Sequence, residues 1–141
     1  MPTRKASAVW EGNLKSGKGK MKLGSGAFEG AYSFATRFGE EPGTNPEELV
    51  GAAHAGCFSM ALSHMLDGAG FKPNKIATAA EVKLEQVEDG FKITQITLNT
   101  KASIEGIDRK QFMEYAAKAK ENCPVSQALK GVDIKLLAQL E

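Results

Sequence analysis

Cys57 and Cys123 carry the most reactive side chains in this sequence. The thiolate form of cysteine is the nucleophile, and a nearby cation, a histidine or a helix N-terminus favours it over the thiol. The two residues lie too far apart in the sequence for a C-x-x-C redox or zinc motif, so the fold would have to bring them together. Two cysteines in a chain of this size are equally compatible with small buried apolar side chains.

Cys57 lies in the middle of an uncharged segment and follows Gly56, which leaves the backbone open to close approach. His54 precedes it by three residues and His64 follows it by seven, which places both near the same side of a helix. Two histidines and one thiolate spread over this length are too extended for a single metal ion. We therefore expect core or interface histidines, and Arg37 is among the few candidate cations for the thiol.

Cys123 has a different local environment, because Pro124 follows it. A proline disfavours helical backbone in the residue before it and suits the first turn of a helix. Cys123 is therefore predicted to be the N-cap of a short helix over 125–130, closed by Gly131. Free N–H groups and the helix dipole would favour a thiolate there. The alternative interpretation is that Ser126 is the polar group that matters.

A long helix is predicted to contain Cys57. Thr44 or Asn45 can cap its start, Pro46 suits its first turn, and the two glutamates that follow favour the positive end of the dipole. The helix is expected to continue to about Leu66 and to stop at the glycines beyond Asp67.

This predicted helix has no charged residue from Leu49 to Leu66. Its length alone would admit a membrane span. Because it contains histidines, serines, glycines and many alanines, a helix buried within a protein core is the better interpretation. The modest strands of one subunit can hardly cover it, so we expect a symmetric dimer in which two such helices pack together. A monomer in solution scattering or calibrated gel filtration would contradict this expectation.

The remaining elements are predicted to be mostly strands. Strands and helices occur in separate runs rather than in βαβ alternation, which indicates a single α+β domain over residues 1–141. The expected elements are a meander of three strands that ends over 31–38 near Arg37, a β-hairpin over 76–87 and 91–103, a helix from Asp108 to near Cys123, and a last strand around Ile134 and Leu136.

Charge and composition give no sign of a nucleic-acid partner. The chain has 18 basic and 17 acidic residues, a formal net charge of +1, and no block of like charges. No signal peptide is predicted at the N-terminus. We therefore expect a cytoplasmic protein without a membrane partner, in a compartment where thiols are normally kept reduced.

Two segments resemble the cysteine motifs of the OsmC/Ohr superfamily. Residues 43–62 read GTNPEELVGAAHAGCFSMAL and are similar to the first motif, and residues 119–126 read AKENCPVS and are similar to the second. The N-terminal AVWEG, the stretch over 15–19 and the stretch over 34–38 resemble the OsmC branch rather than the Ohr branch. The likeness runs nearly from end to end.

This resemblance implies an OsmC-like fold, with antiparallel sheets around a long buried central helix, in an intertwined homodimer with active sites at the subunit interface. It also implies a thiol-dependent peroxidase. Cys57 would attack the peroxide, and Cys123 would condense with the resulting sulfenic acid to a disulfide. Arg37 would stabilise the Cys57 thiolate. Glu47 would orient the guanidinium through a bidentate pair, with Glu48 as the alternative.

The resemblance further implies the reaction partners. Organic hydroperoxides would be the substrates, hydrogen peroxide a less efficient one, and an external dithiol or a lipoylated protein the reductant. It implies neither a cofactor nor a metal, and it links the chain to the osmotic stress response only at the level of the family.

One geometric problem follows from these assignments. Glu47 and Cys57 are ten residues apart, which is about 15 Å along one helix. Either Arg37 bridges this distance with help from a bend, or the glutamate comes from the antiparallel helix of the partner subunit. A dimer would allow the second arrangement, and we favour it.

Two other functions compete with the peroxidase. A binding module could hold a hydrophobic ligand against Phe58, Met60, Met65 and Phe71 without turnover. A redox sensor could report its disulfide to a partner, although no basic patch or DNA-binding helix supports that function. The presence of Cys57, Cys123 and Arg37 together favours the enzyme.

Overall fold

The computed structural model describes all residues 1–141, which form two compact units, residues 1–49 and residues 50–141. The expectation of a single domain stays a prediction. The elements in chain order are β1 (Ala6–Glu11), β2 (Lys18–Leu23), β3 (Glu29–Tyr32), α1 (Phe34–Phe38), α2 (Pro46–Gly68), β4 (Lys72–Val87), β5 (Gly90–Glu105), α3 (Arg109–Asn122), α4 (Pro124–Ala128) and β6 (Asp133–Leu140).

Residues 1–49 contain the predicted antiparallel meander, in the order β1-β2-β3. Gly19 of β2 pairs with Trp10 on one side and with Tyr32 on the other. A Cβ at Gly19 would lie 2.6 Å from an atom of each ring. Only glycine leaves room there, and the two ring centroids consequently lie 5.4 Å apart across the middle strand.

The third strand is shorter than predicted, and placing Arg37 on it was wrong. The chain leaves the sheet after Tyr32 and forms helix α1, which contains Arg37. Ser33 starts this helix with a reciprocal capping box: its hydroxyl accepts from the Thr36 N–H at 3.2 Å, and the Thr36 hydroxyl accepts from the Ser33 N–H at 2.8 Å. These paired caps satisfy two backbone donors that the start of a helix leaves free.

Helix α2 confirms the predicted long helix. Of the two possible caps, Asn45 serves, because its side-chain oxygen accepts from the Glu48 N–H at 2.7 Å. The Thr44 hydroxyl instead donates to the Glu48 carboxylate at 2.8 Å. The helix ends at Gly68, and Gly70 then takes a φ of +90°, a conformation that glycine adopts without steric cost.

Residues 50–141 confirm the α+β class. Strands β4 and β5 form the predicted hairpin, and β6 pairs with β5 on its other side. The pairing of β5 with β6 is parallel, so the expectation of purely antiparallel sheets was wrong at this strand. The connection through α3 and α4 forms a crossover, which lets the chain run in the same direction again. Helix α4 ends at Ala128, two residues before the predicted position.

The hydrophobic core of this second unit follows the helical and strand periods. Helix α2 contributes every fourth residue, β5 contributes alternate residues, and α3 contributes one stripe. The fully buried members are Phe58, Leu62, Leu66, Ile96, Leu98, Ala102, Phe112, Ala116, Ala119 and Cys123.

The opposite side of α2 is exposed in this chain. Ala52, Gly56 and His64 are exposed there, and Met60 is 76% exposed. By length and composition the helix could also cross a membrane, a test that the core helix of a soluble protein passes equally. The chain by itself therefore leaves one apolar side of α2 uncovered.

Candidate active site

Arg37 and Glu47 form a bidentate ion pair within residues 1–49. Arg37 Nε donates to one carboxylate oxygen at 3.0 Å and Nη2 donates to the other at 2.9 Å. The Glu47 residue is only 7% exposed, whereas the Arg37 side chain keeps 35% of its surface exposed. Two parallel charge-assisted hydrogen bonds fix the plane of the guanidinium. The pair occupies only the Nε–Nη2 edge of the guanidinium, so the exposed remainder of Arg37 stays available to a ligand.

The structure also separates the two glutamates that the sequence left as alternatives. Glu47 contacts Arg37, whereas Glu48 is exposed and accepts from Thr44. Glu47 follows the helix start at Pro46 and is turned toward α1, because α1 and the start of α2 are tied together by the Asn45 amide, which donates to the Thr36 carbonyl at 3.2 Å.

An apolar cavity of about 250 Å³ opens beside Arg37. Aromatic rings form most of its wall, and the guanidinium carbon lies 5.4 Å from the Phe38 ring centroid. The lining residues are Trp10, Leu14, Tyr32, Ser33, Phe34, Arg37 and Phe38. The cavity thus combines one cation with a surface suited to an apolar group.

Cys57 is a free, half-buried thiol on α2. Burial raises the pKa of this thiol, the Val125 backbone hydrogen bond lowers it, and the Cys123 side chain raises it through a hydrogen bond and its charge. Cys57 packs against the buried core cluster that contains Cys123. Burial and the second thiol hold Cys57 toward its protonated form, so a reactive Cys57 needs a cation.

Cys123 is fully buried and occupies the predicted position between α3 and α4. Its Sγ accepts from the Ser126 N–H at 3.4 Å, which confirms its role as the N-cap of α4. Its own N–H donates to the Ala119 carbonyl at 3.0 Å and closes the last turn of α3. Cys123 is therefore held by the end of one helix and the start of the next.

His54 lies beside this helix start, and the sequence had not connected the two. Its Nε2 lies 2.7 Å from the Ser126 hydroxyl, which in turn lies 3.2 Å from Cys123 Sγ. His54 is fully buried, which confirms the predicted core position, and burial lowers its pKa. His64 is exposed in this chain, so of the two expected positions, core or interface, the interface position stays a prediction for this histidine.

A signal for this contact existed in the sequence. His54 precedes Cys57 by three residues and Ser126 follows Cys123 by three, so each polar side chain lies one helical turn from a cysteine. If the two cysteines meet, their neighbours one turn away are also brought close. Sequence analysis had singled out His54, Cys57, Cys123 and Ser126, but it had not predicted the contact between His54 and Ser126.

A family profile described as OsmC-like protein matches residues 39–137. The chain belongs to the OsmC-like family. It is 52% identical over 139 residues to the peroxiredoxin OsmC of Escherichia coli K12, which covers 98% of this chain and 96% of the relative. It is 35% identical over 99 residues to the organic hydroperoxide resistance protein OhrB of Bacillus subtilis, which covers 68% of this chain and 70% of the relative.

Solved structures give the same OsmC-like fold. An organic hydroperoxide resistance protein from Elizabethkingia anophelis, with thiocyanate bound, superposes with a TM-score of 0.79 at 26% identity, over 100% of this chain and 98% of that one. OhrB of B. subtilis superposes with a TM-score of 0.69 at 25% identity, over 97% and 98%. The more extensive likeness to the E. coli relative agrees with the predicted OsmC branch.

Proposed function

We propose that this OsmC-like chain is a thiol-dependent peroxidase that reduces organic hydroperoxides to alcohols. The observation that carries the proposal is the pair of free thiols that belong to one packed core, Cys57 half-buried on α2 and Cys123 buried at the start of α4. The relatives named peroxiredoxin and organic hydroperoxide resistance protein support a peroxide-related redox function.

In the proposed reaction the Cys57 thiolate attacks the terminal oxygen of the hydroperoxide. The O–O bond breaks, the alkoxide takes up a proton to leave as the alcohol, and Cys57 becomes a sulfenic acid. Cys123 then attacks the Cys57 sulfur, a disulfide forms and water leaves. An external dithiol, free or as a lipoyl group on a protein, restores both thiols by exchange.

The proposed role of Arg37 follows from the state of Cys57. Burial raises the pKa of that thiol, so a guanidinium near the sulfur would offset the cost of forming the thiolate. The bidentate pair with Glu47 keeps the guanidinium oriented. Because Glu47 and Cys57 are separated along α2, we propose that the Arg37–Glu47 pair serves the Cys57 of a partner subunit. A dimer structure with Glu47 more than about 8 Å from both copies of Cys57 would refute this arrangement.

The cavity beside Arg37 supports an organic substrate over hydrogen peroxide. Its aromatic wall would bury the alkyl or aryl group, and each buried methylene contributes about 0.8 kcal/mol to binding. Hydrogen peroxide has no such group. The oxygen end of the same substrate would lie toward the guanidinium.

The chain is expected to form a homodimer through the exposed side of α2, since an apolar surface of this kind is seldom left open to water. Gel filtration with light scattering should give twice the subunit mass of 15.1 kDa. Met60→Glu should shift the protein toward monomer, because it would bury a carboxylate in the interface. Val87→Glu, at an exposed position at the hairpin end, is the matched control. A monomeric unmutated chain, or equal effects of both variants, would contradict this interface.

The activity itself is tested by mixing the unmutated protein with cumene hydroperoxide and dihydrolipoamide and following loss of the peroxide. We expect catalytic turnover that exceeds the turnover of hydrogen peroxide under the same conditions. Loss no faster than that caused by the dithiol alone would reject the peroxidase and leave the cavity as a binding site for an apolar ligand. The cytoplasm, where lipoylated proteins and other dithiols are available, is the proposed location.

A further inference from the structure

Three buried side chains form a hydrogen-bonded series from α2 to the second cysteine. His54 Nε2 lies 2.7 Å from Ser126 Oγ, and Ser126 Oγ lies 3.2 Å from Cys123 Sγ. We propose that His54 is a positioning residue that acts through Ser126: it holds Cys123 Sγ and takes up its proton when Cys123 attacks the Cys57 sulfenic acid. This inference rests on the proposed peroxidase function.

The burial of the series gives the proton no direct route to water. Cys123 and His54 have no exposed surface, and Ser126 is 4% exposed. A thiol that must attack as a thiolate therefore needs an acceptor inside the protein. A serine hydroxyl donates one hydrogen bond and accepts others, so Ser126 can take the proton from sulfur while it passes its own to the imidazole.

The state of His54 suits an acceptor. Burial lowers its pKa, so the imidazole is neutral near pH 7, and a neutral imidazole has one nitrogen able to accept a proton. Its second nitrogen, Nδ1, is buried and has no hydrogen-bond partner in the chain. A buried polar atom without a hydrogen-bond partner lowers the stability of the folded protein. A side chain whose only role was to hold Ser126 in place would not require an imidazole with such an unpaired nitrogen. Proton uptake at Nε2 requires the neutral tautomer that carries its hydrogen on Nδ1, and no group in the chain bonded to Nδ1 opposes that tautomer.

The step balances without any further reactant. The S–H bond of Cys123 breaks and its proton passes through Ser126 Oγ to His54 Nε2. The Cys123 sulfur forms the S–S bond with Cys57 and is oxidised, while the Cys57 sulfur is reduced as its S–O bond breaks. The hydroxide that leaves takes up the proton held by His54. The sum is thiol plus sulfenic acid giving disulfide plus water.

A single-turnover experiment separates this step from the attack on peroxide. Reduced protein is mixed with an equimolar amount of cumene hydroperoxide without reductant and quenched at intervals. Loss of peroxide reports the attack by Cys57, and dimedone trapping with intact mass reports the decay of the sulfenic acid into the disulfide. The variants are Ser126→Ala and His54→Gln, with Ser126→Thr as the conservative variant that keeps a hydroxyl. Ser59→Ala is the matched control, because it removes a serine hydroxyl on α2 that lies 2.8 Å from Thr78 and outside the His54–Ser126–Cys123 series.

We expect Ser126→Ala and His54→Gln to slow disulfide formation by about tenfold or more, as loss of proton transfer by positioned side chains does. Peroxide loss in the first turnover should stay within about twofold of the unmutated rate, since Cys57 keeps its environment. Ser126→Thr should restore disulfide formation, and Ser59→Ala should leave both steps unchanged.

Unchanged disulfide formation in both variants would overturn the inference, and so would an equal slowing of both steps, which indicates a purely structural role. If Ser126→Ala does not fold, as judged by circular dichroism, His54→Gln decides alone, since it keeps the hydroxyl. An unmutated protein that consumes no peroxide would reject the proposed function and the inference with it.

Discussion

Replacing Cys57 with serine should lower the turnover of cumene hydroperoxide by about three orders of magnitude or more, because removal of a nucleophile abolishes the covalent route. Cys123 could not replace Cys57 as the nucleophile, because Cys123 is fully buried whereas Cys57 is half-buried. The measurement is steady-state loss of peroxide with excess dihydrolipoamide, corrected for the reaction of the dithiol alone.

Cys123→Ser is compared with Cys57→Ser to test the second step of the mechanism, the formation of the disulfide. It keeps the attacking thiol and removes only the resolving one, so it should consume a single equivalent of peroxide when the reductant is limiting and then stop as a sulfenic acid. Equal residual rates in both variants and the unmutated protein would contradict the two-cysteine mechanism. Full turnover in Cys123→Ser with limiting thiol would show that an external thiol resolves the sulfenic acid directly.

Arg37→Lys and Glu47→Gln should each lower kcat/KM for cumene hydroperoxide by about a hundredfold, which is typical of removing one preorganised electrostatic contact. Lysine keeps the charge of Arg37 but cannot form two parallel bonds with a carboxylate. Glutamine keeps the shape of Glu47 but loses the charge that fixes the guanidinium. Both changes act on the pair whose bonds measure 3.0 and 2.9 Å.

Glu48→Gln is the matched control for Glu47→Gln. The two glutamates are adjacent, but Glu48 is exposed and contacts Thr44 instead of Arg37. We expect it to leave kcat/KM within about twofold, since exposed polar contacts contribute little. A larger loss in Glu48→Gln than in Glu47→Gln would contradict the assignment of Glu47, and unchanged activity in Arg37→Lys would show that only the positive charge matters.

The sequence was sufficient where a local pattern determines local structure. Pro46 with the glutamates after it predicted the start of α2, and Pro124 predicted that Cys123 would cap α4; both positions are confirmed. Side-chain and backbone geometry within a few residues decides such features, so no knowledge of the rest of the fold is needed.

The prediction from sequence failed where one short segment is compatible with both a strand and the start of a helix. Phe34 and Phe38 are of a type that strands favour, yet Ser33 and Thr36 can pair as reciprocal caps and start a helix. The parallel pairing of β6 was missed for another reason, because strand direction depends on the path of the crossover and not on the residues of the strand.

The candidate site was predictable only in part. The resemblance to the family supplied Cys57, Cys123, Arg37 and Glu47, and the structure decided between Glu47 and Glu48 through the bidentate contact. The contact of His54 with Ser126 joins residues far apart in the sequence. It depends on how α2 packs near the start of α4, which no local pattern determines.

Cys123 combines two functions that oppose each other in the proposed cycle. Its sulfur is the cap that accepts from the Ser126 N–H, and it is also the atom that would form the disulfide. A disulfide sulfur has no S–H, so oxidation would remove the hydrogen that Cys123 can donate to the Ser126 hydroxyl while it joins the start of α4 covalently to α2. The oxidised protein would thus gain a cross-link between two helices and lose a hydrogen-bond donor at the same atom.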